Sequence, residues 1–337
     1  MKRIPYTKKI YLDRCARRTL DNMTSRPTRK KSFRVARERV TIRAPEKFMA
    51  RRDDYRRGIF TFFQDVTSWL QRGAHVRLDF KPIKQMHPCG TLMFLAKLDI
   101  WCHMHPGKLS ATYPEDEVVE QLFQHFGILE ALGLPARLQV THDHVKFWFF
   151  FSGNKVEPGG YRDLTTAVRS SIQHPEPILF GDCLNEAVTN AVSHAYEFEN
   201  DRLPPPAMRK WWMLSQFKDD KLFVAIYDHG VSIPESLRRK PEWVDYVTLR
   251  RFKDARLIKV AANSFRTSTR LKHRGKGLPE MLEFSTNLLQ GGLSILSNDG
   301  GWTYRAVDRV ESTVSFAKPL PGTLLLWELA FRPGVQP

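Results

Sequence analysis

Hydrophobic positions fall into two regular territories, preceded by a stretch where no period survives. In the first territory, Ile59 to Leu70 places Phe60, Phe63, Val66, Thr67 and Leu70 near helical spacing, which predicts an amphipathic helix. His75 to Phe80 alternates as a strand does, Leu92 to Ile100 reads as a buried helix, and Lys108 to Thr112 as a second short strand. Asp116 to Phe126 is a further helical pattern, ended by Gly127. This β-α-β-α order over 58–135 predicts a small α/β layer domain. The second territory, 138–337, opens with strand Val145 to Phe151 and helix Tyr161 to Ile172. Leu184, Val188, Ala191, Val192 and Ala195 then form one apolar stripe on a helix spanning Gly181 to Tyr196. Leu222 to Tyr227 reads as a buried strand, Leu278 to Leu289 as a helix, and Leu324 to Phe331 as a strand. The fold class expected is α/β (α+β) in two domains.

Charge changes the picture at one end. The chain of 337 residues carries 53 Lys+Arg and 36 Asp+Glu, a formal balance of +17. Residues 1–57 hold 20 of the basic residues and 6 of the acidic ones, so the remaining 33 and 30 nearly cancel. Arg17-Arg18, Arg29-Lys30-Lys31 and Arg51-Arg52 interrupt each apolar candidate there. The segment therefore reads as a basic, extended or partly helical arm, either a polyanion contact to DNA or RNA or a solvated extension; it carries no base-reading motif.

Composition excludes collagen-like and wholly disordered chains. The apolar run FWFFF at 147–151 is far short of the ~20 residues that span a bilayer, so no membrane span is expected. The basic N-terminus has no apolar run behind it, which argues against a secretory signal. Cysteines at 15, 89, 102 and 183 form no CxxC pair, and a reducing, cytoplasmic setting is expected. Two groups contain zinc-type ligands, Cys102-His103 with His105 and His87 with Cys89, but neither has the spacing of a closed site.

The chemistry concentrates in four segments. Glu186, Asn190 and His194 recur every fourth residue, so they share one face of their helix. A carboxylate there can orient or deprotonate a nucleophile, an amide oxygen suits Mg²⁺, and a histidine near the helix end can reach phosphate. The buried strand 222–227 runs into Asp228-His229-Gly230-Val231-Ser232, a carboxylate beside a tight turn. His273-Arg274-Gly275-Lys276-Gly277 precedes a helix, where exposed backbone N–H groups favour phosphate. Gly322-Thr323 opens the final strand.

In this order, and with the run NEAVTNAVSHAYEFEN, the four segments resemble the GHKL (Bergerat-fold, HATPase_c) ATPases, closest to the anti-sigma-factor serine kinase branch. The resemblance implies a Bergerat-type sandwich over 138–337, a mixed sheet with helices on one face, binding ATP and Mg²⁺. It implies that Glu186 positions an attacking water, Asn190 is the Mg²⁺ ligand, Asp228 accepts the adenine amino group, and Gly230 lets the nucleotide approach. Gly275 and Gly277 match the phosphate-side loop, with roughly 235–274 as a mobile lid and Thr323 beside the adenine-side carboxylate. Arg274 and Lys276 stand where they would neutralise phosphates, and His194 where it would touch them. Ser232 replaces the second glycine of DxGxG, and His273 stands in place of the first glycine of GxGxG.

Upstream, LDFKPIKQMHPCGTLMFLAKL followed by EVVEQLFQHFGILEALGL resembles a divergent STAS domain, the fold of anti-sigma-factor antagonists. That family's phosphoacceptor loop corresponds to His87-Pro88-Cys89-Gly90, which has no hydroxyl residue. A sensor histidine kinase is not expected, because no His-Glu/Asp helical hairpin occurs between 58 and 135, and His125 reads as a core or boundary residue. Two functions follow as expectations: a regulatory ATPase or Ser/Thr-kinase-like switch on a protein partner, or an ATP-gated nucleic-acid-associated factor working through residues 1–57. The family resemblance also makes a homodimer a state to test.

Overall fold

The computed structural model describes residues 38–146, 148–172, 174–197, 203–239, 252–263 and 277–330. The chain is mixed α/β, with a parallel sheet and an antiparallel one. Strands β1 (Arg39–Arg43), β3 (His75–Asp79) and β5 (Leu109–Ala111) form a parallel three-stranded sheet in the order β1-β3-β5. Two short strands, β2 (Lys47–Phe48) and β4 (Gln85–Met86), pair beside it. Helices α1 (Asp53–Gln71), α2 (Pro88–Met104), α3 (Glu117–His125) and α4 (Ile128–Ala131) accompany this sheet.

The expected arm is shorter than 1–57. Residues 39–43 pair in register with 75–79, and α1 begins at Asp53 rather than near 59. The strand RVTIR hides its period because Arg39, Thr41 and Arg43 face solvent, while Ile42 enters the core and Val40 packs against it. On α1 the inward face is Arg56, Ile59, Phe62, Phe63, Val66 and Leu70, so the core takes Phe62 in place of Phe60. What precedes the described residues, 1–37, holds 13 Lys+Arg against 2 Asp+Glu.

After a short helix α5 (Asp143–Lys146) come β6 (Trp148–Gly153), α6 (Arg162–Ser171), α7 (Leu179–Ser193), β7 (Trp211–Lys218), β8 (Lys221–Asp228), α8 (Ile233–Arg239), α9 (Asp254–Asn263), α10 (Gly277–Thr286), β9 (Gly291–Arg305) and β10 (Val310–Ala330). The five strands form one sheet in the order β6-β7-β8-β10-β9, antiparallel at each pairing. The mixed sheet expected for this half is therefore corrected. The β7–β8 hairpin turns through Asp219 and Asp220, both at positive φ (52° and 56°), the backbone a tight two-residue turn needs. Strands β9 and β10 also follow one another directly, and such direct returns pair antiparallel.

The expectation of helices on one face is also corrected. Along β8, Leu222, Val224 and Ile226 enter a core shared with Phe180, Leu184 and Val188 of α7. The alternate residues Ala225 and Tyr227 enter a second core with Phe94, Leu95 and Leu98 of α2. Strand β7 divides in the same way, Trp211 and Met213 to one side, Trp212 and Leu214 to the other. With both faces buried, strand positions read as continuous apolar runs, which is why LFVAIY is recognisable. Helix α2 thus covers the face of the large sheet opposite α7 and α10. Each fully buried Leu, Ile or Phe in these layers contributes roughly 1.5–3 kcal/mol. Among the described residues, no helix is long and apolar enough to cross a membrane.

Candidate functional site

Helix α7 supplies one wall. Its apolar stripe, Cys183, Leu184, Ala187, Val188 and Ala191, faces the sheet, so Glu186 and Asn190 turn partly outward. Gly277, the first residue of α10, sits directly against them. A Cβ on Gly277 would stand 2.8 Å from Glu186 Oε2 and 3.0 Å from Asn190 Nδ2. Gly277, at the start of α10, is thus brought against the carboxylate–amide pair. Partial burial, then the neighbouring charges of Glu280 and Asp182, hold the Glu186 carboxyl above its usual range. A carboxyl raised in this way is suited to taking a proton.

Asp228, the last residue of β8, forms a second cluster. It is buried, and its carboxyl is pushed up to about 7 by burial, opposed by hydrogen bonds from the backbone N–H groups of Gly230 and Thr323. The Gly230 N–H lies 2.9 Å from Asp228 Oδ1. Thr323 is the β10 residue directly opposite Asp228, and its Oγ1 is 2.9 Å from Ser297 Oγ of β9. Ser297 also donates to the Gly322 carbonyl at 3.0 Å and accepts from the Ile233 N–H at 2.9 Å. Ser297 was not singled out by the sequence; it is a fully buried serine inside an apolar strand, and only the β9–β10 register reveals its place.

Two expected residues make local protein contacts. Gly230 is required for a protein contact: a Cβ there would lie 2.1 Å from the Ala195 carbonyl oxygen, which accepts from the Val231 N–H. The 228–231 loop packs on the chain just beyond the end of α7 through this contact. His194 lies beyond the last residue of α7, at φ −120°, with Nδ1 3.4 Å from Glu197 Oε2. It therefore does not continue the Glu186–Asn190 row. Ser232, in place of glycine, has a local reason: its Oγ accepts from the Glu235 N–H at 3.3 Å at the start of α8. Arg274, Gly275, Lys276 and His273 lie outside the described residues, as does most of 235–274.

A hydrogen-bonded chain ties this site to α2. The His229 N–H donates to Tyr196 Oη at 3.2 Å, Tyr196 Oη donates to the Lys210 carbonyl at 2.6 Å, and Lys210 Nζ lies 3.0 Å from Asp99 Oδ2. The His229 ring, between Asp228 and Gly230, is buried with neither nitrogen hydrogen-bonded, and burial followed by the charge of Lys97 holds it neutral. His125 bonds the Trp148 carbonyl through Nε2 at 2.7 Å, a boundary contact as expected. Among the described residues, no group of three or more His, Cys, Asp or Glu could hold a metal ion.

The hard oxygen donors of Asn190 and Glu186, beside a helix N-terminus, fit Mg²⁺ and phosphate in kind. The buried acceptor Asp228 fits an amino-bearing ring. Comparison of the chain with protein-family models and with curated proteins finds no match.

Proposed function

We propose that the chain is a Mg-ATP-binding protein of the GHKL type, built on a Bergerat-like domain with a STAS-like domain packed on its sheet. One observation carries this reading: Glu186, Asn190 and Gly277 converge at one point, and Asp228 meets Thr323 across the β8–β10 pair at another. These residues come from the four segments whose order suggested the family. Asn190 would hold Mg²⁺ through its amide oxygen, Asp228 would accept the adenine amino group, and Glu186 would orient a water or a hydroxyl nucleophile. Magnesium, when bound, would neutralise phosphate charge.

The sheet-covering position of α2 favours a regulatory ATPase or Ser/Thr-kinase-like switch acting on a protein partner. Helix α2 touches β7 and β8, the strand that carries Asp228, so nucleotide occupancy and the state of the first domain share one scaffold. A second reading rests on the basic residues 1–37, an electrostatic match to nucleic acid; it predicts binding to nonspecific DNA or RNA that weakens steeply with salt.

Nucleotide titration with and without Mg²⁺ on wild type, Asn190→Ala and Asp228→Ala tests the site. The expectation is that Asn190→Ala loses the Mg²⁺-dependent part of affinity and Asp228→Ala loses affinity in both conditions. Unchanged affinity in both variants, with folding intact, overturns the assignment.

A further inference from the structure

The small parallel sheet has one bare face. Ile42 of β1 and Val76 and Leu78 of β3 turn into a core with Phe62 of α1, Phe94 of α2 and Phe123 of α3, and Val40 packs against it. The alternate residues, Arg39, Thr41 and Arg43 of β1, Arg77 of β3 and Ser110 of β5, are exposed. All-parallel sheets ordinarily have both faces covered, so the outer face of this one leaves room for a partner.

Register fixes how its charges are laid out. Thr41, Arg77 and Ser110 form one row across the three strands, while Arg39 stands opposite His75 and Arg43 opposite Asp79. At about 3.3 Å per residue and about 4.8 Å between strands, Arg39 and Arg43 are about 13 Å apart, with Arg77 between them on the next strand. Asp79 is the one acid at these positions, and its Oδ1 already accepts from Thr112 Oγ1 at 3.0 Å and the Lys81 N–H at 3.3 Å. Among the described residues, none forms an ion pair with Arg39, Arg43 or Arg77, whereas Arg137 and Arg238 meet Glu120 and Asp254 at 2.6 Å.

We propose that the outer face of the β1-β3-β5 sheet docks the phosphate backbone of duplex DNA through Arg39, Arg43 and Arg77. A guanidinium presents its donors in a planar fork that fits a phosphate. The face carries no Phe, Tyr or Trp on which an unstacked base could lie, which favours a stacked duplex over a single strand. Contacts of this kind position the duplex without reading its sequence. Residues 1–37, with 13 Lys+Arg against 2 Asp+Glu, adjoin β1 in the sequence, so the basic segment leads into the basic face. The proposal rests on the nucleic-acid reading for the class of partner and extends it to a different set of residues.

The test measures binding of the full chain to a fluorescent DNA duplex of about 20 base pairs by anisotropy, between about 50 and 200 mM salt. Three triple variants are compared with the wild type. One alters the face (Arg39→Gln, Arg43→Gln, Arg77→Gln), one the N-terminal segment (Arg29→Gln, Lys30→Gln, Lys31→Gln), and one exposed cations beside the five-stranded sheet (Lys155→Gln, Arg162→Gln, Lys218→Gln). Each removes the same charge. The face variant should bind at least about tenfold more weakly, with the slope of log K against log salt reduced by about 2–3, since each lost phosphate contact is worth about 0.9. The third variant should keep most of the wild-type affinity. Arg77→Gln alone should reduce the slope by about 0.9, which keeps the test available if the triple variant melts early. Equal losses in the first and third variants overturn the proposal. Full affinity in the face variant with a loss in the N-terminal one overturns it and leaves the nucleic-acid reading standing. A wild type that binds no duplex DNA overturns both.

Discussion

Lys210 and Asp99 join the two layers of the molecule: the ammonium just before β7 lies 3.0 Å from the carboxylate on α2, and the same Asp99 oxygen accepts from Trp212 Nε1 at 3.2 Å. Both side chains are mostly buried, 28% and 21% exposed, so the pair is shielded from solvent more than a surface bridge. Its loss leaves a cation and an indole N–H without their acceptor. Asp99→Ala should cost about 1–3 kcal/mol, read as a lowered urea midpoint with an unchanged slope. Asp99→Asn keeps an acceptor for Trp212 and should recover part of that loss. If the alanine variant unfolds at the wild-type midpoint, the pair is not a fastening between layers.

Arg56 is the second fastening. Its guanidinium is fully buried, donating to the carbonyls of Lys318 at 3.1 Å and Asn298 at 3.0 Å, and stacked 3.9 Å from the Phe316 ring centroid. Burial draws it down to about 10, still charged at neutral pH. Arg56→Met keeps the volume and removes the donors, so one carbonyl on β9 and one on β10 lose their partner. The expected loss is about 2–4 kcal/mol in chemical denaturation. A neutral result would mean that Met packing on Phe316 compensates fully.

These two contacts also mark what the sequence could not say. Arg56 sits among Arg51, Arg52 and Arg57, and nothing in that run separates a buried guanidinium from exposed ones. Strand β1 was concealed in the same way, by arginines on its solvent face. Strand β8 and helix α7 were legible because burial on both faces, or on one stripe, leaves a period that charges do not break. The Glu186–Asn190 spacing was legible because a helix turn fixes it. Ser297 and Tyr196 were not, since each acts through a partner far along the chain, Thr323 in one case and Lys210 in the other. Packing on both sheet faces was equally hidden: WWML opens β7 with four apolar residues in a row, and only the tertiary layers assign its two faces.

Gly277 offers a test of the candidate site that leaves its polar groups intact. A side chain there would enter the space beside Glu186 and Asn190, 2.8 and 3.0 Å from their polar atoms. Gly277→Val should lower Mg-ATP affinity at least about tenfold, a loss of about 1.4 kcal/mol. Gly277→Ala should give a smaller loss, while the helix start tolerates alanine better than glycine. Isothermal titration on both variants, beside their melting temperatures, separates a blocked site from a damaged fold. Full affinity in the valine variant would place phosphate elsewhere.

Asp228 couples stability to proton uptake. The folded carboxyl is raised from 3.8 to about 7, chiefly by burial, so between about pH 4 and 7 the folded chain holds a proton that the unfolded chain has released. Stability from this group is therefore complete below about pH 4, falls as pH rises through that window, and is level above it. A tenfold change in proton affinity is worth about 1.4 kcal/mol, so the whole change amounts to a few kcal/mol. Asp228→Asn removes the titration while leaving Oδ1 to accept from the Gly230 N–H, with an offset that does not vary with pH. Differential melting of variant and wild type from pH 4.5 to 8 should show the variant gaining steadily up to about 7 and no further. The same variant presents an amide that supplies only one acceptor oxygen and no charge, so it should bind ATP more weakly at pH 8, where it is relatively most stable. A difference independent of pH would show that the Asp228 carboxyl is ionised throughout, and burial would then not be its controlling influence.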